Sequence, residues 1–285
     1  MSTVVQAQGV SKHYGDFAAL DNVSFTVEKG SIVGLIGPNG AGKTTALKAV
    51  LGLTGFNGEL SVMGHDPRTG RHHVMENVCF VADVGVLPRW LKVGEALDYV
   101  EGVHPRFNRL KAEALLKETN IGTMQKVKQL SKGMVTQLHL ALVMAIEVDL
   151  LVLDEPTLGL DILYRKAFYD RLLNDYFDKE TSIIITTHQV EEIETLLSHL
   201  LFIDRGKIVL DSTMDDLPKR YAQVLVEPEQ LGLAESLQPI HVREMLGRKS
   251  MIFENIDQAT LAPLGELHVP SVADLFVAKM QRGRV

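Results

Sequence analysis

Residues 31–53 read SIVGLIGPNGAGKTTALKAVLGL. The first six are a short apolar run with β-branched Ile32, Val33 and Ile36 that breaks into glycines, and TTALKAVLGL then sets its apolar residues at helical spacing. This predicts a strand, a tight loop and a helix in succession. The loop itself, Gly37-Pro38-Asn39-Gly40-Ala41-Gly42-Lys43-Thr44, has the form GxxxxGK[ST] in the strand-to-helix context that gives the form its meaning. Glycines let backbone N–H groups curl around phosphates, and the helix N-terminus adds the positive end of its dipole. Lys43 is placed to neutralise β- and γ-phosphate charge, and the Thr44 hydroxyl to reach Mg²⁺. Thr45 follows in the same turn and completes the candidate phosphate contacts.

Working outward, VCFVA at 78–82, LLVLD at 150–154 and SIIITTH at 182–188 are further apolar runs of strand length, with helical patterns between them. The alternation predicts an α/β core with a parallel sheet and right-handed crossovers. Leu150 to Glu155 ends a strand in two carboxylates. They would lie beside the phosphate loop if the two strands are neighbours, with Asp154 holding Mg²⁺ and Glu155 polarising an attacking water as general base.

Order and spacing of several motifs make the sequence resemble the ATP-binding cassettes of ABC transporters over roughly residues 3–215. Leu130-Ser131-Lys132-Gly133-Met134 stands where that family has LSGGQ, and Leu158-Gly159-Leu160-Asp161 matches its D-loop. Thr187-His188 ends a strand where the family has its switch histidine, and Tyr14 matches the aromatic that stacks on adenine. The resemblance implies a P-loop NTPase core that binds ATP and Mg²⁺ and works as a head-to-tail dimer. In that arrangement Ser131 and the Gly133 N–H of one subunit complete the site of the other. His188 would sense the γ-phosphate and Asp161 would link the two sites. Asp83 stands where most members have glutamine, and its charge suggests a further contact to Mg²⁺ or its water. Lys132 and Met134 depart from the signature, and Lys132 either adds positive charge near the phosphate or points to solvent.

Composition narrows the partners. The 285 residues carry a formal charge of −7, which argues against a general nucleic-acid binder. MSTVVQAQGV lacks the pattern of a secretory signal, and no apolar run approaches the ~18–20 residues of a membrane span. The expectation is a peripheral protein on the cytoplasmic side of the membrane, paired with a separate transmembrane permease and a second ATP-binding subunit. The subgroup resemblance is to exporters, with a soluble ABC ATPase acting on ribosomes or nucleic acid as the alternative. The single cysteine, Cys79, excludes an intrachain disulfide and reads as a buried strand residue, while His72 and His73 read as a solvated loop.

Three departures from the α/β pattern complete the expected architecture. Residues 3–29 alternate as an antiparallel β edge layer, with a hairpin turn at Glu28-Lys29-Gly30. Residues 84–148 turn mainly helical, as a subdomain inserted in a nucleotide-binding domain of residues 1–218. Residues 219–285 suggest a small α+β appendage, with strands at YAQVLVE and SMIFEN and a closing helix at SVADLFVAKM begun by Ser271. A dimer-contact or regulatory role is the first reading for it, a fold-stabilising tail the second.

Overall fold

The computed structural model describes residues 2–81, 87–158, 162–176, 181–245 and 247–282. A six-stranded sheet forms the centre, built from β3 (Ile32–Ile36), β5 (Val78–Val81), β6 (Leu150–Asp154), β7 (Ser182–Thr187), β8 (His199–Asp204) and β9 (Lys207–Thr213) in the order β5-β6-β7-β3-β8-β9. All neighbours pair parallel except β8 with β9. Successive residues of a strand face opposite sides, and here both sides are buried. Leu151, Leu153, Ile183, Ile185, Leu200 and Phe202 enter one apolar cluster, while Leu150, Val152, Ile184, Leu201 and Ile203 enter another. Near-continuous apolar strands follow from that two-sided burial.

The second cluster is closed by α1 (Lys43–Val50) and by a three-stranded antiparallel sheet of β1 (Thr3–Tyr14), β2 (Phe17–Glu28) and β4 (Asn57–Val62) in the order β2-β1-β4. The expected edge layer is present, but its hairpin turn lies at residues 15–16, with Tyr14 paired to Phe17. The Gly30 turn, at φ 74°, instead carries the chain from β2 into the central sheet. The short α2 (Arg71–Glu76) places His72 and His73 on an exposed helix where the sequence suggested a loop, their rings tilted by 40° at a centroid distance of 3.8 Å.

The first cluster is covered by α3 (Val93–Val103), α4 (Arg109–Lys117) and α5 (Lys132–Met144). Asn108 caps α4 through Lys111 N–H and Ser131 caps α5 through Met134 N–H, so both starts fall on the residue types that satisfy free helix donors. Then α6 (Ile162–Tyr176) runs from the end of β6 toward β7 and buries Phe168, Tyr169 and Leu172. Among the described residues no helix is long and apolar enough to cross a membrane. Cys79 is buried in β5, and that burial pushes its thiol up to about 12.

After α7 (Leu217–Arg220), the strands β10 (Tyr221–Val226), β11 (His241–Met245), β12 (Arg248–Glu254) and β13 (Gly265–His268) form an antiparallel sheet in the order β11-β12-β10-β13. With α8 (Leu231–Ser236) and α9 (Gln258–Leu261) it encloses a small core around Val224, Met251 and Phe253. Its other side is joined to the main body by α10 (Val272–Arg282). Tyr221, Ile252, Val272, Leu275 and Ala278 all enter the first cluster, and Phe276 meets Phe202 edge-on at 5.3 Å. The C-terminal elements therefore share the large core as well as keeping their own. Ser271 starts α10 as expected, accepting from Asp274 N–H and donating to the Asp274 carboxylate.

Candidate nucleotide site

The loop between β3 and α1 is shaped by contacts that only glycine permits. A Cβ on Gly37 would stand 2.3 Å from the Ile203 carbonyl oxygen, and one on Gly42, at φ 111°, would stand 2.5 Å from that of Ala19. The backbone thus lies against β8 and β2 and then turns into α1, whose free N–H groups open toward the loop's concavity. Lys43, only 7% exposed, donates from Nζ to the carbonyls of Gly37 (2.7 Å) and Pro38 (3.3 Å). Burial lowers the pKa of its ammonium, and the carboxylates of Glu155 and Asp154 oppose that fall.

Asp154 and Glu155 reach the loop by a different route from the expected one. β6 is not the neighbour of β3, because β7 lies between them. Even so, Thr44 Oγ1 donates to Asp154 Oδ2 at 2.8 Å across the tips of the three strands. β7 supplies the bridge: buried Thr186 donates from Oγ1 to Asp154 Oδ1 at 2.6 Å and accepts the Glu155 N–H at 3.0 Å. Glu155 itself takes a left-handed backbone, φ 49°, at the strand exit. Its carboxylate is 3.7 Å from Lys43 Nζ and 2.8 Å from His188 Nδ1. With Glu155 ionised, the hydrogen bond puts the proton on Nδ1 of the imidazole.

A cleft of about 270 Å³ opens here, lined by Tyr14, Phe17, Ala19, residues 39–45, Asp154 and Glu155. Tyr14 is half exposed at its rim, with Lys12 Nζ 4.9 Å from its ring centroid. The structure thus gathers Tyr14, Asn39, Gly40, Ala41, Gly42, Lys43, Thr44, Thr45, Asp154, Glu155 and His188 in one place. Ser131 and Gly133 are not among the lining residues. They begin α5 at the surface of the helical layer. Asp83 and Asp161 lie outside the described residues. The sequence reading missed Phe17, which faces Tyr14 across the β1–β2 turn, and Thr186, whose only signal was a polar pair, Thr186-Thr187, ending an apolar strand.

Comparison with known proteins gives the family of the chain. Residues 20–158 match the model of the ABC transporter family. A daunorubicin resistance ATP-binding protein of Streptomyces coeruleorubidus is 31% identical over 249 residues, spanning 84% of this chain and 78% of that protein. The chain belongs to the ABC transporter ATP-binding family. A probable multidrug ABC transporter ATP-binding protein of Escherichia coli is 33% identical over 226 residues. That match spans 77% of this ABC chain but 39% of the relative's length. A solved ATP-binding subunit of an ABC transporter superposes with a TM-score of 0.68 at 26% identity, covering 76% of this chain and 92% of its own.

The ABC fold accounts for the mixed α/β architecture. The chemistry of the site suits a magnesium nucleotide: Thr44 Oγ1 and Asp154 Oδ2 form a hard oxygen pair. Among the described residues no group of three or more His, Cys, Asp or Glu side chains could hold a metal unaided. A cation at that pair would need oxygens from phosphates and water, the usual mode for Mg²⁺.

Proposed function

We propose that this chain is the ATP-hydrolysing subunit of an ABC transporter, acting as a dimer beneath a separate membrane-spanning permease and driving export. The observation that carries the reading is the Glu155 carboxylate, held between Lys43 Nζ and His188 Nδ1 at the mouth of the phosphate loop. A carboxylate so placed accepts the proton of a water as the water oxygen attacks the γ-phosphorus. The bond from that phosphorus to the β-phosphate oxygen breaks, leaving ADP and inorganic phosphate. Lys43 and the loop N–H groups stabilise charge on the phosphate oxygens, the larger share of catalysis in this reaction class. Mg²⁺, held by Thr44 and Asp154, supplies further charge neutralisation when bound. His188 keeps Glu155 oriented and meets the γ-phosphate, and Tyr14 stacks on the base.

The position of Ser131 and Gly133 supports the dimer reading. Ser131 and Gly133 present a helix start away from their own phosphate loop, which suits completion of a second subunit's site. Asp161 links the two sites, and Asp83 contacts Mg²⁺ or its water. Residues 1–218 form the nucleotide-binding unit and its helical layer. On that layer Trp90, Tyr99 and Met124 are exposed apolar side chains suited to a permease's loops. Residues 219–285 form a second unit held down by α10.

The test uses affinity-tagged Glu155→Gln protein expressed in its own cells and purified with ATP and Mg²⁺ from detergent-solubilised membranes. Stoichiometric recovery of a multi-spanning protein supports the transporter reading. Recovery of ribosomes or nucleic-acid-bound proteins would replace it with the soluble alternative.

A further inference from the structure

Glu155 and His188 leave the ends of β6 and β7, and the phosphate loop meets Glu155 through Lys43 Nζ at 3.7 Å. Their flanks are held by a single helix. Arg165 and Tyr169, four residues apart and so on one face of α6, reach in two directions. The Tyr169 hydroxyl is hydrogen-bonded to Thr157 Oγ1 at 3.1 Å, two residues beyond Glu155. The Arg165 guanidinium donates from one nitrogen to the side-chain oxygen of Gln189, the residue next to His188, and to Glu192 Oε1 at 2.9 Å. Both partners of the Glu155–His188 hydrogen bond are therefore flanked by residues tied to the same helical face.

The burial of these contacts makes them more than surface decoration. Thr157 and Tyr169 are buried, at 3% and 4% exposure. The Arg165 and Glu192 side chains are three-quarters buried, and Glu192 Oε2 is fully enclosed without a hydrogen-bond partner. Arg165 thus compensates a carboxylate that water does not serve on one side. Removing a cation from such a pair leaves the acid to seek another arrangement, and the 3-10 turn that bears it, Val190–Glu192, begins two residues after His188. Gln189 N–H bonds Thr187 Oγ1, so a displaced Gln189 pulls on both neighbours of the imidazole.

We propose that Arg165 and Tyr169 are positioning residues, a brace on α6 that fixes His188 against Glu155 and so sets the rate of the hydrolytic step without touching nucleotide. The assignment rests on the ATPase reading for its kinetic consequence, while the brace itself is a property of the folded chain. A helix that holds both catalytic flanks also transmits its own displacement to both at once.

The full-length chain tests this with Arg165→Met, Arg165→Lys and Tyr169→Phe, each compared with wild type for ATP hydrolysis and for binding of a fluorescent ATP analogue. Histidine ring signals are followed by NMR, with His188 assigned from the spectrum of His188→Ala. Arg165→Met is expected to lower kcat roughly tenfold with KM for ATP and analogue affinity within twofold, since sub-ångström misplacement costs rate before it costs binding. Arg165→Lys recovers part of that loss, Tyr169→Phe gives a smaller one, and the His188 signal moves in Arg165→Met. If Arg165→Met does not fold, Arg165→Lys and Tyr169→Phe carry the same test, with a moved His188 signal or a lowered kcat expected in each. Unchanged kcat together with an unmoved His188 signal in a folded variant overturns the brace. A wild-type chain that hydrolyses no ATP overturns the ATPase reading instead, and the His188 signal still decides the brace.

Discussion

Thr186 Oγ1 stands 2.6 Å from Asp154 Oδ1, so the strand that separates the phosphate-loop strand from the acidic strand also joins them. The same hydroxyl accepts the Glu155 N–H, which orients the chain where it takes its left-handed turn. Replacing Thr186 with valine keeps the shape and removes the donor. Asp154 Oδ1 then loses its partner in a buried site, at a cost of about 1–3 kcal/mol. The urea midpoint of Thr186→Val is expected to fall accordingly, with ATPase activity falling further than stability alone explains. A midpoint equal to wild type would show that Asp154 finds another donor.

Gly42 gives a second expectation, because its φ of 111° and the 2.5 Å approach of an added Cβ to the Ala19 carbonyl forbid a side chain. Gly42→Ala must open the loop away from β2, which spreads the N–H groups that face the phosphates. Titration with a fluorescent ATP analogue should show affinity reduced at least about tenfold, equivalent to ~1.4 kcal/mol. Equal affinity would mean that the loop binds phosphate in another backbone form.

The join between the C-terminal unit and the body has a pH signature. Glu254 accepts from Lys279 Nζ at 2.9 and 3.0 Å and from Tyr221 Oη at 2.8 Å, with Arg220 at 3.3 Å. Burial by itself would raise this carboxyl. The hydrogen bonds from Lys279 and Tyr221 and the charges of Lys279 and Arg220 outweigh it and hold the pKa below the ordinary value. A depressed acid contributes stability that is fully present above its unfolded value, about 4.3, and is lost as pH falls through the lower folded value. Lys279→Met should therefore be less stable than wild type at pH 7, with the gap closing as the medium is acidified below pH ~4. A gap independent of pH would place the loss in packing and not in the ion pair.

Much of this was legible in the sequence because the deciding features are local. The strand, loop and helix of residues 31–53 follow from glycine placement and apolar period, and Val93–Val103 is a helix over the stretch whose spacing marks it. The cap Ser271 sits one residue ahead of a helical run, where a side-chain oxygen is needed. Features fixed by pairing across the chain were not legible. Strand order depends on long-range contacts, so β7 between β6 and β3, and with it Thr186, could not be read from the runs themselves. β4, β11 and β13 are short edge strands with weak patterns, and the Gly30 turn looks like a hairpin turn until the partner of β2 is known. The Arg165 and Tyr169 contacts join residues on separate elements and carry no motif.

The most direct measurement compares wild type and Glu155→Gln for ATP turnover and for mass in solution with Mg²⁺ and ATP. Glutamine keeps the size of the side chain and removes its capacity to accept the water's proton, a loss in the range of about 10²–10⁴-fold for general-base catalysis. The account predicts a kcat reduced by at least two orders of magnitude, unimpaired ATP binding and a stable ATP-bound dimer. Turnover equal to wild type in Glu155→Gln, or a monomer that retains ATP without pairing, would contradict it.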